Sequence, residues 1–103
     1  GAAVNQARTY DGASPLKFAA QQGHTEVVRL LIGGGAAVNQ ATTDDGSTPL
    51  YTAAMQGHTE TVGLLINGGA AVNQAMVEDG VTPLIVAVKK GHTEVARLLI
   101  DGG

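Results

Sequence analysis

Three histidines stand in register at His24, His58 and His92, each inside the tetrapeptide Gly-His-Thr-Glu. Imidazoles are the commonest protein ligands of zinc, so a regular set of them raises metal chemistry first. Spacing decides against it. Equivalent positions on stacked helices lie about 8–10 Å apart, whereas ligands sharing one zinc each lie about 2 Å from the ion. The reading is that each histidine braces the turn between two helices. Asp44-Asp45 and Glu78-Asp79 pose the same question for paired carboxylates, as acid–base groups or a calcium loop. Both precede glycine in tight-turn positions, and no Asp/Asn ladder of the calcium-loop type accompanies them. They are read as turn caps. No nucleophile–base pair is suggested by spacing, and the glycine doublets do not follow a strand as a phosphate loop would. The chain is therefore read as a non-enzyme, with no catalytic residue, no metal and no cofactor.

The elements that position these residues are three copies of one 34-residue unit, at about 1–34, 35–68 and 69–102. Gly1 to Ala7 returns letter for letter as Gly35 to Ala41 and as Gly69 to Ala75, and 20 of the 34 columns are identical throughout. A fixed period of this length means a stacked array, in which each unit buries its apolar face only against its neighbours. Residues 1–103 thus form one domain.

The middle copy shows how a unit folds. Thr48 offers a hydroxyl for the N-cap and Pro49 sits at the first helical position, where its missing N–H is harmless. Leu50, Ala53 and Ala54 follow at i, i+3, i+4 spacing, giving a narrow small-residue face. Gly57 stops the helix, because glycine tolerates positive φ. Thr59 opens a second helix with Glu60 in its first turn, favourable to the helix dipole. Val62, Leu65 and Ile66 form its stripe and Leu64 widens it, so the second helix is expected to be the buried one. Gly68-Gly69 ends it. Asn73 to Gly80 joins one helix pair to the next through Asp79-Gly80, a tight-turn signal shared by Asp11-Gly12 and Asp45-Gly46. This segment reads as a projecting, hairpin-like finger. Gly63 stands mid-helix where the other copies carry Arg29 and Arg97 and should cost about 1 kcal/mol.

Composition narrows the function. Hydrophobic residues are 44% of the chain, and the core must be aliphatic because Tyr10, Phe18 and Tyr51 are the only aromatics. Net charge is −3 with basic residues scattered singly apart from Lys89-Lys90, which gives no stripe for a phosphate backbone and argues against nucleic acid. No apolar run approaches the roughly 20 residues of a membrane span. The absence of cysteine excludes disulfides and thiolate sites and fits an intracellular, cytoplasmic setting.

These residues resemble the ankyrin repeat. The family phrase Asp-x-x-Gly-x-Thr-Pro-Leu-His-x-Ala-Ala is carried by Asp45-Gly46-Ser47-Thr48-Pro49-Leu50 with Ala53-Ala54, and its second half by Gly57-His58, Val62, Leu64-Leu65, Gly69-Ala70 and Val72-Asn73. The period is 34 rather than 33. The histidine after Pro-Leu is replaced by Lys17, Tyr51 and Ile85, and the Asp before Val-Asn by Ala3, Ala37 and Ala71. The resemblance implies an all-α solenoid of three stacked helix–turn–helix units with β-turn or hairpin fingers, and the departures lead us to expect longer fingers and less regular polar bracing between units. It implies a non-catalytic module that binds a protein partner through finger tips and a groove lined by the first helices.

The 14 columns that vary lie mostly on the fingers and first helices. On that basis the expected contact residues are Tyr10, Asp44 and Glu78 on the fingers, and Lys17, Tyr51, Met55 and Lys89 on the groove, with Tyr51 and Met55 as the apolar anchor. The first and third copies lack the polar outer face of a capping repeat. Val95, Ala96, Leu98, Leu99 and Ile100 are expected to await a further repeat, as in an excerpt of a longer array. The competing reading is a scaffold or spacer segment, self-associating end to end through its uncapped faces.

Overall fold

A computed structural model of the chain describes residues 3–8, 10–76 and 79–102. Among them are six helices and no strand: α1 (Pro15–Gln22), α2 (Thr25–Gly33), α3 (Pro49–Gln56), α4 (Thr59–Asn67), α5 (Pro83–Lys90) and α6 (Thr93–Gly102). Each repeat supplies one antiparallel pair. The first helices α1, α3 and α5 pack side by side in one layer, and α2, α4 and α6 form a second layer behind them.

The helix boundaries are those expected from local chemistry. Ser14, Thr48 and Thr82 are extended N-caps whose hydroxyls accept the N–H of Lys17, Tyr51 and Ile85 at 3.2, 3.1 and 3.2 Å. Proline follows each at the first helical position, where no N–H partner is needed. Gly57 ends α3 at φ 77, in the left-handed region that a side chain disfavours.

Among the described residues the fingers are turns without strands. Each is closed by a backbone bond, from Arg8 N–H to the Ala13 carbonyl, Thr42 to Ser47, and Met76 to Val81, all at 2.9 Å, and the first and third add Gly12 N–H to the Arg8 carbonyl at 2.8 Å and Gly80 N–H to the Met76 carbonyl at 3.2 Å. Asp11, Asp45 and Asp79 each accept the N–H two residues ahead at 3.0 Å, the Asx turn expected of them. Among the described residues one backbone bond links neighbouring fingers, from Thr43 N–H to the Asp11 carbonyl at 2.7 Å.

Burial departs from the expectation that the second helix is the buried one. In the middle copy α3 buries Pro49 through Ala54, whereas α4 buries only Thr61, Val62 and Leu65. Small Ala53 and Ala54 let the first helices approach closely, and buried Thr42 and Ser47 lie in the finger just ahead of α3. The expectation for the last helix also changes. Val95 and Leu99 are buried within their own stack, while Ile100 is 64% exposed; the five-residue apolar face is reduced to a narrower one.

Polar bracing between repeats is regular, not weakened. Asn5 Oδ1 accepts the Ala37 N–H and Asn39 Oδ1 the Ala71 N–H, both at 2.7 Å. The histidines supply the second brace, across repeats and not within a turn. His58 Nε2 lies 2.9 Å from the Gln21 carbonyl, and His92 Nε2 lies 3.1 Å from the Met55 carbonyl. Since a carbonyl only accepts, that ring nitrogen carries the proton. Each ring also covers the helix-ending glycine of the preceding repeat: a Cβ at Gly23 would stand 2.7 Å from His58 Nδ1, and one at Gly57 2.7 Å from His92 Cε1.

Candidate functional site

The expected contact residues divide between exposed positions and the core. The first finger is the most developed. Tyr10 is 74% exposed. The Arg8 guanidinium stacks 4.6 Å from the Tyr10 ring and 4.7 Å from the Phe18 ring, the geometry of a cation–π contact. Its far side is held by Asp11, with Nε and Nη2 donating to the two carboxylate oxygens at 3.0 and 2.6 Å. That fork, together with the Ala13 N–H, pulls the Asp11 carboxyl down to about 2. The same bond holds the Arg8 guanidinium above its ordinary value. Lys17 extends the patch: its ammonium donates to Gln21 Oε1 at 2.8 Å and lies 5.5 Å from the Phe18 ring.

The second finger is acidic. Asp44 is exposed, and its carboxylate accepts the Asp45 N–H at 2.7 Å. Asp45 turns inward, accepting from the Thr42 hydroxyl at 2.8 Å. Burial pushes the Asp45 carboxyl up, but its hydrogen bonds from Thr42, Ser47 and the neighbouring residues outweigh that and leave it below the ordinary range. In the third finger Glu78 lies outside the described residues.

The groove residues divide. Lys89 is exposed and Met55 half-buried, its carbonyl taken by His92. Tyr51 is a core residue. It is 9% exposed, and burial, followed by the nearby carboxylates of Asp79 and Asp45, raises its phenol above the ordinary value. It occupies the space that the resemblance assigns to a histidine, so it packs the stack and does not anchor a partner. Arg8 and Phe18 were not among the expected contacts. A signal for Phe18 was present: its column is filled by Thr52 and Val86, which need a preceding repeat to cover them.

A family model described as Ankyrin repeats (3 copies) matches residues 16–103. The chain belongs to the ankyrin repeat family. No curated protein matches it. Ankyrin repeats generally serve as protein–protein interaction modules. Among the described residues no helix is long and apolar enough to cross a membrane.

Proposed function

We propose that this ankyrin array is a non-catalytic module that binds a protein partner through its fingers and the exposed edges of its first helices. The observation that carries the reading is where the copies differ. Among otherwise identical units, the first two finger tips present an aromatic–cationic cluster of Arg8 and Tyr10 and then an anionic Asp44, with Lys17, Met55 and Lys89 beside them. A rigid surface with distinct chemistry at each step discriminates between partners without ordering anything on binding. Glu78 belongs to the same set by its column, and Tyr51 drops out of it.

The test is selection from a displayed random-peptide library, followed by mapping of the selected peptides on the amide spectrum. Shifts clustered on Arg8, Tyr10, Asp44 and Lys89, with binding lost in Tyr10→Ala plus Asp44→Ala, support the reading. Shifts clustered on Arg29 and Arg97 of the second layer refute it. The near-identity of the copies favours a second reading, a uniform spacer, and that reading expects no selected peptide to bind the fingers at all.

A further inference from the structure

The charged residues are sorted by element. The first helices α1, α3 and α5 carry three lysines, Lys17, Lys89 and Lys90, and no acid. The second helices carry four acids and two arginines, and the fingers five acids and one arginine. A chain of net charge −3 therefore holds its only positive excess on the layer of first helices.

Pairing sharpens the contrast. Arg29 and Arg97 each answer a glutamate of their own helix, Glu26 at 3.3 Å and Glu94 at 3.4 Å, and Arg8 is forked by Asp11. Among the described residues the lysines make no salt bridge. The Lys17 ammonium donates to the neutral Gln21 amide at 2.8 Å. The Asp11 carboxylate also acts on Lys17, but Arg8 already holds both of its oxygens. Lys89 and Lys90 suit the carbonyl end of α5. The fold does not require them there, because Gln21 and Gln22, then Met55 and Gln56, fill the same places without charge.

These side chains share a face. Lys17 and Gln21 meet one turn apart on α1, and the column of Gln21 continues through Met55 to Lys89. In the next column Gln22, Gln56 and Lys90 are exposed in every copy, so the row stays open whatever lies before or after a repeat. Packed helices lie about 8–10 Å apart, so two steps put Lys17 and Lys89 about 16–20 Å apart, with half-buried Met55 between them. Extended chain rises about 3.3 Å per residue, so about six residues cover that span.

We infer that the first-helix layer takes an acidic peptide segment of a protein partner, laid across α1, α3 and α5 with carboxylates at Lys17 and at Lys89 and Lys90 and an apolar side chain against Met55. This names the partner chemistry for one part of the surface proposed above, and it rests on that reading. A nucleic-acid strand fits less well. It brings a phosphate at every nucleotide, while the acids of the fingers stand at the N-terminal ends of these same helices.

The test uses the full chain and a labelled peptide with two glutamates at each end and a central leucine, read by fluorescence anisotropy and mapped on the amide spectrum. Counterparts with glutamine or lysine in place of the glutamates, and a short oligothymidylate, serve as comparisons. The glutamate peptide is expected to bind at least about tenfold more tightly than the glutamine one, and to shift the amides of Lys17, Met55, Lys89 and Lys90. Raising the ionic strength from about 0.1 to about 1 M shortens screening from about 10 to about 3 Å and should weaken it at least about fivefold. Lys17→Gln with Lys89→Gln and Lys90→Gln should remove about tenfold, the combined effect of three exposed ion pairs. Lys89→Gln with Lys90→Gln, which leaves the bond from Lys17 to Gln21 in place, repeats the measurement if circular dichroism shows the triple variant to be unfolded. Equal binding of the glutamate and glutamine peptides on the first helices overturns the acidic partner and leaves the binding module standing. Shifts confined to the second helices, tighter binding of the lysine peptide or the oligothymidylate, or no binding of any probe also overturns it.

Discussion

Replacing each histidine in turn by alanine separates a local role from an inter-repeat one, because the three share their sequence neighbours and differ in what lies before them. His58→Ala removes a hydrogen bond of 2.9 Å to the Gln21 carbonyl and uncovers Gly23. A net hydrogen bond contributes about 0.5–1.5 kcal/mol, and the lost packing of a half-buried ring adds about as much again. The sum is about 2 kcal/mol. His92→Ala should lose slightly less, since its bond is 3.1 Å. His24→Ala should lose under about 0.5 kcal/mol, the usual range for a surface site without partners. Neither His24 nor His58 makes a side-chain cap bond to its own helix, so the local contribution is shared and cancels in the comparison. Urea denaturation reads the difference. With a slope of about 1–1.5 kcal/mol/M, the midpoint of His58→Ala should fall by about 1.5 M while that of His24→Ala hardly moves. Equal losses at His24 and His58 would mean that the imidazole works within its own turn, and the inter-repeat brace would be refuted.

Thr61→Val should stabilise the chain by about 1–2 kcal/mol, because Thr61 Oγ1 is buried with no partner and the same column is valine at Val27 and Val95; a lower melting temperature would show that the hydroxyl is satisfied. Gly63→Arg should add about 1 kcal/mol, since a Cβ there meets nothing within 4 Å and the arginine would stand where Arg29 pairs with Glu26 at 3.3 Å; a shift of about 4–8 °C in Tm is the expected reading. Tyr51→Ala should cost about 3 kcal/mol through the cavity left in the core, so loss of partner capture in that variant would report unfolding, which circular dichroism would reveal. Asp11 should titrate near pH 2 by carboxyl NMR, against an ordinary 3.8. A lowered folded value means that its contribution is full above about 3.8 and is lost as the pH falls through about 2. Arg8→Ala should move the midpoint back upward, stopping short of 3.8 because the Ala13 N–H remains, and an unchanged midpoint would remove Arg8 as the principal cause.

The helix boundaries were legible in the sequence because capping is local: Thr48-Pro49 and Gly57 act within a few residues of one another. The layer order and the bracing were not. His58 meets Gln21 across 37 residues and Asn5 meets Ala37 across 32, and no periodicity within one helix records a partner that far away. The same distance explains the mistaken weight on the second helix. An apolar stripe shows that a face wants covering, but whether it is covered depends on the copy's place in the stack. Tyr51 was misplaced for a related reason. Its column is variable, and variability was read as exposure, yet in the middle copy the neighbours on both sides close over it.

Position in the stack therefore decides what a residue contributes, and identical residues contribute differently. Column 27 makes the point. The hydroxyl of Thr61 lies unpartnered in the interior, while Val27 and its two methyls stand in solvent at the head. Exchanging the two would improve both sites, since a hydroxyl in water costs nothing and a valine in the core removes an unsatisfied group. Column 20 repeats the pattern: alanine fills the two covered sites and the larger valine stands at the open one. The copies are thus fitted to the repeat step and not to first, middle or last place. Such a unit specifies how it joins its neighbours without specifying where the joining stops.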